Sequence, residues 1–179
     1  LTSEPTIGQR ISRAKKTLSQ DGVTIEVPSG ADLAPRLASV LEVVYLIFNE
    51  GYAATSGRDW VRGDLMEEAI RLGRVLAALA PGEPEVHGLL ALMEIQASRT
   101  RARIGRDGEP VLLLDQDRTR WDWGLIRHAL AALDRASSLV ATAASAHGPY
   151  LLQAAIAAVH ARARTAEETD WSQIVALYE

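Results

Sequence analysis

This 179-residue chain contains the stretch AIRLGRVLAALAPGEPEVHGLLAL, residues 69–92, in which two helical patterns follow one another. Its first half repeats apolar residues such as Leu72 and Leu76 at helical spacing, and the proline-glycine pair at 81–82 then stops the helix. Pro84 opens a second helix, because proline is tolerated in the first turn. Two helices joined by so few residues must lie antiparallel. The stretch therefore predicts a helical hairpin.

The same spacing recurs along most of the chain after residue 31. Apolar patterns of helix length alternate with glycine and proline breakers, and the connections between them are short. Several patterns resemble tetratricopeptide (TPR) helices, in which small residues pack one helix against the next. We therefore predict an all-α fold of antiparallel helix pairs, a TPR-like or α-solenoid-like bundle. The predicted helices span about 32–49, 64–80, 84–103, 122–143 and 150–163, and a last one begins near residue 170.

The N-terminal segment PTIGQRISRAKKTLSQ, residues 5–20, predicts a short amphipathic helix. Ile7, Ile11, Ala14 and Leu18 recur at spacings of four, three and four, which places them in one apolar stripe. Its polar and basic residues lie off that stripe and are expected to face outward.

Charge is divided unevenly between the two ends of the chain. Residues 1–20 carry a net charge of +3 within a total of −4, so residues 21–179 carry −7. Both lysines lie in the first segment, and every later cation is arginine. A basic head on an acidic body favours contact between the head and an anion such as nucleic acid, with a solvated helix face as the alternative.

Composition excludes several classes of protein. The chain has no cysteine, which excludes a disulfide framework, thiol chemistry and Cys-ligated metal sites. The longest apolar run, VVYLIF, is far shorter than the roughly 18–20 residues that cross a bilayer. The first twenty residues contain no apolar signal sequence. We therefore expect a cytoplasmic protein with no membrane partner.

No motif in the sequence predicts catalysis. There is no phosphate-binding glycine loop and no nucleophile elbow. The four histidines, at positions 87, 128, 147 and 160, lack the spacing of metal ligands and are expected to be structural or surface residues. We therefore expect no enzyme activity, no cofactor and no metal site.

Two strings could nonetheless form a regulatory or interaction surface. DQDRTRWDW, residues 115–123, interleaves three carboxylates with two arginines beside two tryptophans. It fits an acid pair, a cation site or an interface, although Asp caps and Asp–Arg pairs that fix a loop are the preferred interpretation. YLIFNEGY, residues 45–52, fits a pocket at a helix end or a core helix ended by Gly51. The candidate residues are Tyr45, Asn49, Glu50, Asp115, Asp117, Arg118, Trp121 and Trp123.

QRISRAK, residues 9–15, resembles the reading helix of region 4 in bacterial extracytoplasmic-function (ECF) RNA polymerase sigma factors, where a QR-x-x-RAK pattern is typical. The strings that follow resemble, in order, the C-terminal TPR-like extension of one ECF subgroup. The resemblance covers nearly the whole chain. The strings that resemble the extension are YLIFNEGY, PEVHGLLALM, LLLDQDRTRWDW, GPYLLQAAIAAVHA and TDWSQIVALY.

The resemblance implies a domain order and a set of partners. Residues 1–20 correspond to the C-terminal part of the region 4 helix-turn-helix, residues 21–31 to a linker, and residues 32–179 to the helical extension. The family reads the −35 promoter element with this helix, so promoter DNA and the RNA polymerase core are the implied partners of the full-length protein. The extension is expected to regulate sigma activity in transcription initiation through contacts with the sigma regions of the same chain or with the polymerase.

Region 2, which binds core polymerase in that family, has no counterpart in the chain. We therefore expect the natural protein to begin earlier, and its last helix to be followed by more chain. The DNA-binding residues that the resemblance implies are Thr6, Gln9, Arg10, Arg13 and Lys16. Their chemistry is consistent with DNA binding, because arginine and glutamine can form hydrogen bonds with base edges and lysine can bind phosphate.

The residues also fit two other functions. One is a stand-alone helical scaffold that binds a protein or peptide in an open groove lined by polar and aromatic residues. The other is a small-molecule-sensing module, with an enclosed pocket around Tyr45, Asn49, Trp121 and Trp123.

Overall fold

The computed structural model describes residues 4–22, 32–53, 61–106, 108–143 and 147–179. These residues form seven α-helices and no β-strand, and an isolated β-bridge pairs Ile104 with Pro110. The predicted all-α fold is confirmed. The helices are α1 (Glu4–Gln20), α2 (Leu33–Tyr52), α3 (Gly63–Leu79), α4 (Pro84–Ser98), α5 (Trp123–Ala143), α6 (Pro149–Arg162) and α7 (Trp171–Tyr178).

The chain divides into two compact units, Leu1–Leu37 and Ala38–Glu179. In the first unit, the described residues form α1 and the start of α2. The described residues of the second unit form the rest of α2, the helices α3 to α7, and three 3₁₀ turns at Thr100–Ala102, Leu113–Asp115 and Arg118–Arg120.

Helix α4 lies at the centre of the second unit. Eleven of its fifteen residues are buried, and it packs against α3, α5 and α6. A helix that is apolar all round has to be surrounded by other helices, because no face of it can be left in water. The apolar run Leu89–Met93 supplies this central position.

Close contact between α4 and α6 depends on Gly88. A Cβ atom built on Gly88 would lie 2.7 Å from the backbone N and 2.9 Å from the Cα of Leu151 in α6. The two helix backbones can approach this closely because glycine has no side chain. The carboxylate of Glu85 fixes the same junction, since it accepts hydrogen bonds from the backbone N–H groups of Tyr150 and Leu151, both at 3.0 Å. The start of α6 is therefore capped by a side chain from α4.

Two helix ends differ from the sequence prediction. Gly51 does not end α2 but lies in its last turn, buried, where a Cβ would come within 2.6 Å of the backbone N of Met66. The residue is a glycine because α3 passes against it. Helix α4 ends at Ser98 and not near residue 103, because the hydroxyls of Ser98 and Thr100 bond the carbonyls of Ile95 and Ala97 and the chain tightens into a 3₁₀ turn.

Candidate functional site

The residues that the resemblance assigns to DNA binding lie on α1. Gln9, Arg10, Arg13 and Lys16 are exposed, and Thr6 is half-buried. At about 100° per residue, Gln9, Arg13 and Lys16 fall within one narrow sector of the helix surface. The polar face of α1 therefore reaches solvent, as a helix must if it is to enter a groove of DNA.

The apolar stripe of α1 is exposed as well. Ile7, Ile11 and Leu18, expected on the buried side, are 47%, 51% and 53% exposed. The described residues of the unit Leu1–Leu37 form α1 and little more than the first turn of α2. Those residues offer too little apolar surface to cover the stripe.

Tyr45 joins α2 to α6. Its ring packs edge to face on Tyr150, with centroids 5.4 Å apart, and its hydroxyl lies 3.4 Å from Oε1 of Gln153. Asn49 and Glu50 are half-buried in the following turn of α2. These three candidate residues thus belong to a packed helix, and Tyr45 contributes to the contact between two helices.

Aspartates cap the turn and the helix near residue 120. The carboxylate of Asp117 accepts hydrogen bonds from the hydroxyl and the backbone N–H of Thr119, at 2.6 and 2.9 Å, and these bonds lower the pKa of Asp117. Asp122 accepts a hydrogen bond from the backbone N–H of Leu125 at 2.9 Å. The predicted role of these aspartates as caps is confirmed.

Arg118 is buried and bonds the end of α6. Its Nη1 donates to the carbonyl oxygens of His160 and Ala163, at 2.7 and 2.6 Å, and its guanidinium lies 4.8 Å from the ring centroid of Trp121. The partners of Arg118 are therefore main-chain carbonyls, where the sequence suggested neighbouring aspartates. Burial also lowers the pKa of Arg118. The residue fixes the path of the chain after α6.

Contacts divide the eight candidate residues of the regulatory surface into two groups. Arg118, Trp121 and Trp123 are in contact, with the indole centroids 6.3 Å apart and Trp123 40% exposed. Asp115 is exposed in the turn that precedes them. Tyr45 and its neighbours on α2 contact α6 instead. The pocket expected around Tyr45 and the tryptophans stays a prediction. One pocket lies between α3, α4 and α5 and another between α2 and α3, and neither is lined by these residues.

His160 is half-buried in a positively charged environment. Its ring packs edge to face on Trp171, with centroids 5.4 Å apart, and its buried Nδ1 has no hydrogen-bond partner among the described residues. Burial, with the charges of Arg99 and Arg118, lowers the pKa of His160. This part of the bundle therefore favours the neutral imidazole.

The main polar cluster inside the bundle is centred on Glu94. Its side chain lies on α4 and is fully buried. Nε and Nη2 of Arg74 donate to its Oε1 at 2.9 and 2.7 Å, and Nδ1 of His128 lies 2.5 Å from its Oε2. Arg74 comes from α3 and His128 from α5, so one carboxylate joins three helices. Both partners are about half exposed.

A pocket of about 390 Å³ opens above this cluster, between α3, α4 and α5. Its polar side chains are those of Arg74, His87, His128 and Arg135. The carbonyl oxygen of Pro81 holds two of them, since it lies 3.1 Å from Nε2 of His87 and accepts a hydrogen bond from Nη2 of Arg135 at 3.2 Å. The rest of the lining is apolar and consists of Ala77, Leu90, Ala131 and Ala132.

Sequence reasoning missed this cluster. Glu94 is a carboxylate within the run LALMEI, where a helix that is apolar all round leaves no polar face for it. A charged residue at such a position has to be paired, which is the signal that could have found it. Its partners come from other helices, and His128 looked like an ordinary surface histidine. Within the described residues, no group of three or more His, Asp or Glu side chains is arranged to hold a metal ion.

Comparison with known proteins identifies a family. Residues 36–137 match the model of DUF6596, a family of unknown function. The chain is 49% identical over its 179 residues to an uncharacterized protein of Rhizobium meliloti (strain 1021). The match covers all of this chain and 41% of that relative, so the chain spans about two fifths of the relative's length. No solved structure matches.

None of the helices in the described part of the chain has both the length and the apolar character needed to cross a lipid bilayer.

Proposed function

The chain belongs to DUF6596, a family of unknown function, and on the resemblance of residues 9–15 and the later strings to ECF sigma factors we propose that it is the C-terminal part of such a factor. In this proposal α1 reads the −35 promoter element. The helices of the unit Ala38–Glu179 regulate the activity of the sigma factor in transcription initiation. The partners are promoter DNA, the RNA polymerase core and the sigma regions of the same protein.

The observation that carries the proposal is the exposed polar face of α1. Arg13, Lys16 and Gln9 share one sector of this helix, and all three side chains are exposed. Arginine can bond guanine, glutamine can bond adenine, and lysine can bond a phosphate. Residues 1–20, which include α1, carry a net charge of +3. The charge supplies an attraction to DNA that does not depend on sequence, and the three side chains supply base and phosphate contacts.

The acidic bundle supports the regulatory half of the proposal. Residues 21–179 carry a net charge of −7. A negative body repels DNA and attracts basic surfaces, so it can compete with promoter DNA for a basic helix or contact a basic region of the polymerase.

The test is promoter binding by the intact gene product with core RNA polymerase. We expect Arg13→Ala to weaken promoter binding by about 1–3 kcal/mol and to reduce its salt dependence. Lys15→Ala is the matched control, because Lys15 is an exposed cation of the same helix that lies about 160° around the surface from Arg13. Fluorescence anisotropy with labelled promoter DNA, repeated at several salt concentrations, measures both effects.

Two outcomes would contradict the proposal. Equal losses for Arg13→Ala and Lys15→Ala would indicate a non-specific attraction to DNA. Unchanged affinity in both variants would mean that α1 does not contact the promoter.

An apolar groove favours a second function, that of a helical interaction scaffold. The groove lies between α2 and α3, has a volume of about 410 Å³, and is lined almost wholly by aliphatic side chains, where the sequence suggested polar and aromatic ones. Val43 and Val75, on its two sides, are 55% and 42% exposed. Exposed apolar surface of this kind is typical of protein interfaces. Should neither α1 variant change promoter binding, this function would be the better interpretation.

A further inference from the structure

We propose that the pocket between α3, α4 and α5 is a binding site for a small organic anion, a carboxylate or phosphate group carried on a compact apolar body. The pocket is formed by residues of the unit Ala38–Glu179 alone. The proposal is therefore independent of what α1 does, and it concerns residues other than those that the sequence assigned to regulation.

The first argument is the balance of charge at the pocket. Arg74 and Arg135 bring two guanidinium groups to its lining. The carboxylate that contacts the lining, Glu94, is fully buried, and both of its oxygens are occupied by Arg74 and His128. The negative charge is thus beneath the pocket while the positive charges reach its surface, so the pocket presents net positive charge to a ligand.

The second argument is that both guanidinium groups are held in position and still have donors to spare. Arg74 bonds Glu94 through Nε and Nη2, which leaves the N–H groups of Nη1. Arg135 bonds the carbonyl of Pro81 through Nη2, which leaves those of Nε and Nη1. An arginine has five N–H donors in a planar fork that matches a carboxylate or a phosphate. Positioned donors bind an anion more tightly than mobile ones, because less entropy is lost.

The third argument is the shape and lining of the pocket. A volume of about 390 Å³ lies within the range of small-molecule sites. Three alanines and Leu90 form its apolar part, and they come from all three helices. A hydrated inorganic ion gains nothing from such a wall, whereas an anion attached to a ring or a branched chain buries apolar surface against it. The combination selects an anion with an apolar body.

The test uses the intact gene product and three small aromatic probes: phenyl phosphate, benzoate and neutral benzyl alcohol. Saturation-transfer difference NMR reports their binding through the ring protons. We expect phenyl phosphate or benzoate to bind and benzyl alcohol to bind at least about tenfold more weakly, because it lacks the charge-assisted hydrogen bonds. The comparison of phenyl phosphate with benzoate shows which of the two anionic groups the site prefers.

Variants of α5 locate the binding. Arg135→Gln should weaken anion binding by about tenfold. Its side chain is exposed, so the fold should survive, and circular dichroism checks this. Arg127→Gln is the matched control, because Arg127 is an exposed arginine of the same helix that does not line the pocket. It should leave binding unchanged.

Three results would overturn the proposal. The first is that neither anion binds. The second is that benzyl alcohol binds as well as the anions do, which would make the pocket a purely apolar one. The third is that Arg135→Gln and Arg127→Gln reduce binding equally, which would assign the binding to the general charge of the surface.

Discussion

Glu94 places a carboxylate inside α4, the most buried helix among the described residues. Loss of this carboxylate and loss of its partner Arg74 should therefore affect stability differently. Removing a carboxylate from water is costly unless a well-placed cation compensates. Arg74 supplies that cation and is itself about half exposed. Loss of Arg74 leaves a buried carboxylate with His128 alone, whereas loss of Glu94 leaves two side chains that already reach solvent.

We predict that Arg74→Met lowers the free energy of unfolding by about 1–3 kcal/mol, because it leaves the buried carboxylate of Glu94 with His128 as its remaining partner. The double variant Arg74→Met/Glu94→Leu should recover most of that loss, since apolar residues of similar size can replace a buried ion pair. Urea unfolding of the intact gene product, followed by circular dichroism, measures both.

Arg71→Met is the control for this prediction. Arg71 lies one turn before Arg74 on the same helix and pairs with Glu68 at the exposed surface. Exposed pairs contribute little to stability. If Arg74→Met costs no more than Arg71→Met, or if the double variant is no more stable than Arg74→Met, the stabilising role given to Arg74 is wrong.

At the scale of helices, the junction of α4 with α6 depends on one missing side chain. We predict that Gly88→Ala destabilises the protein by about 1–3 kcal/mol, because the new methyl group would meet the backbone of Leu151 and push the helices apart. The helix propensity of alanine, about 1 kcal/mol better than that of glycine, acts in the opposite direction and does not remove the clash.

Gly63→Ala separates these two effects. Gly63 lies in the first turn of α3, and a Cβ built there meets no atom within 4 Å. That variant should be as stable as the wild type or slightly more so. Thermal unfolding of both variants is the measurement, and a Gly88→Ala protein as stable as Gly63→Ala would contradict the close contact of α4 with α6.

The helices could be predicted because periodicity is local, and their ends were harder where tertiary contacts decide them. The breakers around residues 81 and 148 place the end of α3 and the starts of α4 and α6 to within one residue. The prediction that Gly51 ends α2 is wrong, because this position requires glycine for close contact with the backbone of α3. That contact depends on the fold and leaves no local signal in the sequence. The end of α4 at Ser98 depends on two hydroxyl groups that can either continue a helix or tighten it.

At the scale of the whole molecule, His160 links the stability of the fold to pH. Its pKa in the folded protein is lowered below 6.5 by burial and by the charges of Arg99 and Arg118. Below about pH 6.5 the unfolded chain therefore binds a proton that the folded chain resists. Above about pH 6.5, His160 is neutral in both states and does not lower the free energy of unfolding. Below about pH 6.5, this free energy should fall as the pH decreases towards the lowered pKa.

We predict that acidification from about pH 7.5 to about pH 5.5 lowers the melting temperature of the wild type more than that of His160→Gln. His147→Gln is the control, because His147 is exposed and should respond as the wild type does. Melting curves at closely spaced pH values measure the difference. Equal slopes for His160→Gln and the wild type would contradict the effect of burial on His160.

The cluster around Glu94 shows why a site is harder to predict than a fold. The all-α class follows from the helical spacing of apolar residues that recurs after residue 31, because each helix shows this period within its own sequence. Arg74 lies 20 residues before Glu94 and His128 lies 34 residues after it. No local sequence pattern connects residues that far apart. Arg118 and Asp117 were candidates because they lie in an unusually polar string. Their contacts are structural, because capping a turn and bonding main-chain carbonyls require polar side chains just as catalysis or ligand binding does.

The central position of α4 has a consequence for synthesis in the cell. Two of the three helices that cover α4 follow it in the chain, and the second of them is complete only at Arg162. A ribosome therefore delivers the most buried helix of the bundle while α5 and α6 are still untranslated, and the nascent chain exposes that surface until α6 has been made. The yield of folded protein depends on how well this helix is shielded from other nascent chains during that interval.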